Sequence, residues 1–98
     1  MIIISGVVQV KPEARETAVA AALKMSAASE AESGCRAYRF YSDLRDANTF
    51  LLYEEWESEE ALAAHFKTPH MAEFQAQLPD IIASEPAINR YVATQMVD

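Results

Sequence analysis

The sequence predicts an α+β domain of order βαββαβ, and three observations predict it. Four short stretches rich in β-branched and aromatic residues are spaced along the chain, at 2–10, 35–43, 49–57 and 87–96. The second and third are separated only by a turn-forming stretch, LRDAN (44–48), as in a hairpin. The two long intervals that remain carry helical start signals and apolar residues at helical spacing.

Each element follows from local chemistry. Ile2-Ile3-Ile4 and Val7-Val8-Gln9-Val10 form a nearly continuous apolar run, which reads as a strand buried on both faces or at a subunit contact. Pro12 suits a first helical turn, where its missing N–H is not needed. Ala14, Ala18, Ala21, Met25 and Ala28 then make one stripe, and Gly34 ends the helix. Because the stripe is small, space beneath this helix would have to be walled by aromatics from elsewhere. CRAYRFYSD and TFLLYEEWE alternate as the hairpin strands. Ser58 caps the next helix, with Glu59 and Glu60 favourably placed in its first turn. Thr68-Pro69 repeats the start signal, so two short helices follow, about 59–67 and 69–83, and Pro86 precedes the last strand. This is the ferredoxin-like arrangement, with an antiparallel sheet and helices on one face. The other face is left bare, which predicts a homodimer packed sheet to sheet.

Composition narrows the function classes. The 98 residues suit one domain, 1–98, and the 51% hydrophobic content is that of a folded chain. Fifteen acidic against eight basic residues, net charge −7, argue against nucleic acid and anionic membrane surfaces as partners. Cys35 is the only cysteine, so no intrachain disulfide or cysteine cluster is available. The apolar N-terminus precedes its first basic residue, Lys11, the reverse of a secretory signal, and no run reaches membrane-spanning length. A soluble cytoplasmic protein is expected.

The chemistry concentrates in EEWESEEALAAHFKTPH (54–70). Strand alternation puts Phe50, Leu52, Glu54 and Trp56 on one face, so that Glu54 is an acid among large apolar groups and its pKa should rise. Leu62, His65 and Phe66 share a side of the next helix, so His65 and Glu54 can approach one pocket with Trp56 between them. Tyr38 shares a strand face with Phe40 and is placed to line the same pocket, with His70 at its rim. A metal site is not expected: His65 and His70 are five apart across a helix break, and no third ligand stands at a recognisable spacing. With two glycines, Gly6 and Gly34, there is no phosphate loop. Cys35, at a strand start, reads as packing.

Together the residues that carry these signals resemble the antibiotic biosynthesis monooxygenase family, in particular its small quinol-monooxygenase-like members. The likeness runs through Val10-Lys11-Pro12, Gly34-Cys35, Tyr38, Phe50, Glu54, Trp56, Ala61-Leu62, His65 and Thr68-Pro69-His70, with an ExW followed by ALxxH nine residues beyond the tryptophan. The resemblance implies a dimeric α/β barrel and oxidation of a planar phenolic or quinol-like aromatic by O₂, with no flavin, metal or haem cofactor. It implies His65 as base, Glu54 orienting or pairing with it, and Trp56, Phe66, Met71 and Phe74 shaping the slot. Haem-cleaving relatives carry an asparagine on the first strand, where this chain has Gly6 or Val7, so that activity is not implied. Two alternatives remain open. One is a cofactor-free isomerase moving a proton on a small keto or lactone substrate, and the other a non-catalytic ligand-binding module.

Overall fold

The computed structural model describes residues 1–97. Strands β1 (Ile2–Gln9), β2 (Cys35–Ser42), β3 (Thr49–Trp56) and β4 (Ala87–Val92) alternate with helices α1 (Arg15–Glu30), α2 (Glu59–His65) and α3 (Pro69–Ile81). The sheet has the order β2-β3-β1-β4, with every neighbouring pair antiparallel. This is the ferredoxin-like α+β fold expected from the sequence, with the second helix of that plan split in two.

Local signals place most boundaries where expected. Pro12 opens a single 3₁₀ turn, Pro12–Ala14, before α1 proper begins. Gly34 adopts φ +85°, the left-handed conformation that lets the chain reverse into β2. A side chain there would also strike Ala61, since a Cβ would lie 2.6 Å from the Ala61 Cβ. The Ser58 side chain accepts a hydrogen bond from the Ala61 N–H at 3.1 Å and starts α2. Thr68 starts α3 in the same way, accepting from the Met71 N–H at 3.3 Å.

Three details differ from the sequence reading. β1 is not buried on both faces: Ile2, Ile4 and Gly6 are buried towards the helices, and the intervening residues are partly open. The α1 stripe buries Ala18, Ala21, Met25 and Ser29, with Ala28 only half-buried, because a period of 3.6 carries the inner face from 25 to 29. β4 ends at Val92, short of 96, and all six of its residues are exposed. The helical layer therefore covers β1, β2 and β3 and leaves β4 bare.

The core forms two adjoining clusters on the helix side of the sheet. One joins Ile2, Ile4, Met25, Tyr38, Leu52, Trp56 and Leu62; the other joins Val10, Ala18, Ala21 and Ile81. Phe74 of α3 packs against both, so α3 is the element that bridges them. No helix among the described residues is long and apolar enough to cross a membrane.

Candidate active site

Sheet register assembles the floor of a cavity. Tyr38, Glu54, Ile4 and Arg90 stand side by side in one row across all four strands, and Phe40, Leu52, Gly6 and Ile88 make the next row. Over these rows lie Met71, Phe74, Gln75 and Leu78 of α3, with Phe66 from the end of α2. The enclosed space is about 230 Å³ and its lining is apolar apart from Glu54, Arg90, Gln75 and the Tyr38 hydroxyl. The space lies under α3. Where the alanine stripe of α1 meets Val10, Phe50 and Ile81, the gap left is only about 20 Å³.

Gly6 helps shape the floor. A Cβ at this position would run into the Ile88 side chain, one of the residues lining the cavity. Its absence lets Ile88 lie across β1.

Glu54 is the titratable group that the cavity exposes to a ligand. Its side chain is buried, and its Oε1 accepts the Trp56 indole N–H at 2.8 Å. Oε2 has no hydrogen-bond partner among the described residues. Loss of hydration pushes the carboxyl up to about 7; the Trp56 hydrogen bond and the charge of Arg90 pull the other way, and Glu32 adds a repulsion. Tyr38, almost wholly buried beside it, is pushed well above the ordinary phenol range by burial first and then by Glu54, so it remains a neutral O–H. Arg90 spans the open side, its guanidinium 5.8 Å from the Phe66 ring centroid.

His65 takes a different place from the one expected. It is 1% exposed, but it lies behind Trp56 and is not among the cavity-lining residues. Its ring centroid is 4.6 Å from that of Trp56 and 5.5 Å from that of Tyr38. Its polar partner is Glu32, whose Oε2 is 2.7 Å from His65 Nδ1; Glu54 is not in hydrogen-bond contact with it. The same Glu32 oxygen is 2.7 Å from His70 Nε2. The tryptophan thus stands between acid and imidazole, as its sequence position suggested, but as a partition with two separate hydrogen-bond systems on its two sides.

Of the expected slot residues, Tyr38, Phe66, Met71 and Phe74 line the cavity with Glu54, while Trp56, His65 and His70 do not. Sequence reasoning missed three residues: Arg90 and Ile88 on β4, and Glu32. Arg90 and Ile88 were legible only as alternate positions of a strand. Glu32 sits in the turn after α1, in a stretch, SEAESG, that looks like solvated charge; its one signal was closeness to the turn glycine. Glu32 supplies the two histidines with a third donor, at a spacing that the sequence did not make recognisable. The donor atoms of Glu32, His65 and His70 come within 4.8 Å of one another across the break at Thr68-Pro69. Cys35 fits the packing reading: burial, then Glu32, Glu30 and Glu54, push its thiol up to about 11, so it is not a thiolate near neutral pH.

Comparison with known proteins agrees with this architecture. The chain is 37% identical over 90 residues to "Uncharacterized protein sll1783" of Synechocystis, covering 92% of this chain but 61% of that one, so it spans about three fifths of that relative's length. It is 31% identical over 84 residues to "Putative monooxygenase YcnE" of Bacillus subtilis, covering 86% of this chain and 88% of the relative. Its fold superposes on the structure of Rv0793 from Mycobacterium tuberculosis with a TM-score of 0.90 at 24% identity, over 99% of this chain and 98% of the other. The family model for antibiotic biosynthesis monooxygenases matches residues 1–77, the stretch that carries β1 to β3, α1, α2 and most of α3. The chain belongs to the antibiotic biosynthesis monooxygenase family.

Proposed function

We propose that the chain is a monooxygenase or quinol oxidase that binds a planar phenolic or quinol-like ring in the cavity under α3 and oxidises it with O₂. Family membership supports the general monooxygenase-like role. The observation that carries the finer reading is Glu54, a carboxylate with a pKa near 7 on the wall of an otherwise apolar space. A base is most effective when its pKa lies close to the working pH, because it is then both available and strong enough. The cavity, at 230 Å³, lies just below the roughly 300–1,000 Å³ of ordinary small-molecule sites, which suits one or two fused rings.

In this reading Glu54 Oε2 takes the phenolic proton, while the Trp56 N–H holds Oε1 and so fixes the direction of attack. Arg90, two strands away in the same cross-strand row, stabilises the phenolate as charge develops on it. The delocalised anion gives an electron to O₂. For a quinol, transfer of both electrons and both protons leaves quinone and hydrogen peroxide. For a ring with a neighbouring CH₂, recombination gives a hydroperoxide that loses water to form a carbonyl. The substrate supplies the electrons, so no flavin or haem enters the reaction, and no metal takes part in it. His65 supports Trp56 from behind and is a positioning residue.

The bare face of the sheet supports a homodimer. Val7, Leu51, Tyr41 and Tyr91 are exposed there, and Val7 is paired directly with Leu51. A second copy would bury this apolar set and give β4 a neighbour.

Oxygen uptake with a naphthoquinol tests the reading. The wild-type rate should exceed the spontaneous one, with kcat/KM rising as Glu54 loses its proton and levelling above pH about 7. Glu54→Gln should lower it by roughly 10²–10⁴-fold. A wild-type rate equal to the buffer rate, or a Glu54→Gln rate equal to wild type, would reject it. Turnover of a keto or lactone substrate under strict anaerobiosis would instead favour proton transfer without oxidation.

A further inference from the structure

We propose that Glu32, His65 and His70 form a site for one divalent transition-metal ion of the zinc type, on the far side of Trp56 from the cavity. Its ligands would be His65 Nδ1, His70 Nε2 and the Glu32 carboxylate, with water completing the shell.

Three chain segments bring these groups together. Glu32 comes from the turn after α1, His65 from the last position of α2 and His70 from the first turn of α3. Both nitrogens are 2.7 Å from the same carboxylate oxygen, and all three donor atoms lie within 4.8 Å of one another. A tetrahedral ion with bonds of about 2.0–2.2 Å holds its donors roughly 3.3 Å apart. Exchanging the two hydrogen-bonding protons for one ion therefore requires each nitrogen to move about half an ångström away from the Glu32 oxygen, and the two nitrogens, already within 4.8 Å of one another, to reach the same spacing.

The donor set selects the ion class. Two imidazoles and one carboxylate favour zinc and its first-row neighbours, whereas calcium and magnesium require mostly oxygen ligands. Three protein ligands leave a position for water, the pattern of an open site. Burial is graded in the sense such a site needs: the side chains of His65, Glu32 and His70 are 1%, 13% and 22% exposed, so the inner ligand is anchored and the outer two face the approaching ion. The inner ring packs at a tilt against Trp56 and Tyr38, and its residue's carbonyl accepts the Thr68 hydroxyl at 2.7 Å. The surroundings are acidic, since Glu30 and Glu54 act with Glu32 on the neighbouring Cys35. An ion here would tie the ends of α1, α2 and α3 together behind the cavity wall.

The test is equilibrium dialysis of the full chain, first stripped with a chelator, against zinc, with metal content measured per chain and cobalt absorption as a second readout. Wild type and Glu54→Gln should each retain one ion, with a cobalt spectrum of low coordination number and a higher Tm when zinc is present. Glu32→Gln and His70→Gln should each lose the bound ion, the cobalt spectrum and the zinc-dependent rise in Tm. Near-UV circular dichroism establishes that the variants are folded, and His70→Gln, at the most exposed ligand, carries the test if Glu32→Gln does not fold. Failure of wild type to bind zinc at micromolar concentration, or undiminished binding in a folded His70→Gln chain, would overturn the proposal.

Discussion

Glu54 is the residue at which burial and function meet. Its folded pKa of about 7 lies above the unsupported value of 4.5, so the native chain holds a proton that the unfolded chain has released across that interval. Stability from this group is full below pH 4.5 and is lost as pH rises to about 7. The loss is on the order of 3 kcal/mol at alkaline pH. Glu54→Gln keeps an oxygen for the Trp56 indole and removes the charge, so urea unfolding at pH 8 should show it more stable than wild type by up to about that amount, and the difference should vanish near pH 4. Higher stability with lower activity from one isosteric change is the mark of a buried base. The acid was legible in the sequence because alternation along β3 puts Glu54 on the same face as Leu52 and Trp56. The carboxylate that holds His65 was not, because the Glu32 to His65 contact joins the turn after α1 to the end of α2.

At the scale of elements, the α2–α3 break matters more than either helix. Thr68 serves both sides of it, accepting the Met71 N–H and donating to the His65 carbonyl. It thereby links the C-terminus of α2 to the N-terminus of α3, where each helix has unsatisfied backbone groups. Thr68→Ala should cost about 1 kcal/mol, read as a lower urea midpoint with unchanged m, and should speed amide exchange at the start of α3. Pro69 then fixes the first turn of α3, which brings His70 back towards His65. The sequence marked this break correctly. It also suggested that the break would keep the two imidazoles apart, whereas both reach one carboxylate oxygen of Glu32.

Across the whole molecule, the helical layer and the sheet differ in extent. Three helices cover three strands, so β4 and the outer sheet face retain exposed apolar groups that a monomer does not bury. Leu51→Arg places a charge at the centre of this face, paired with Val7 and on the side opposite the cavity. If two sheets pack together, sedimentation should show the wild type as a dimer and Leu51→Arg as a folded monomer. A wild-type monomer at micromolar concentration would reject the packing.

The sequence by itself determined the order of elements, the caps of α2 and α3, which residues of β3 share a face, and the presence of an acid among apolar residues. All of these depend on residues close in the chain, through period, φ preference and capping. Tertiary structure decided what stands opposite what. Sheet register put Arg90 in the same row as Glu54; α3 roofed the cavity with Met71, Phe74, Gln75 and Leu78; and the turn after α1 delivered Glu32 to His65. Arg90 and Glu54 are 36 positions apart and Glu32 and His65 are 33, distances that no local preference constrains, so these pairings are set only when the layers pack.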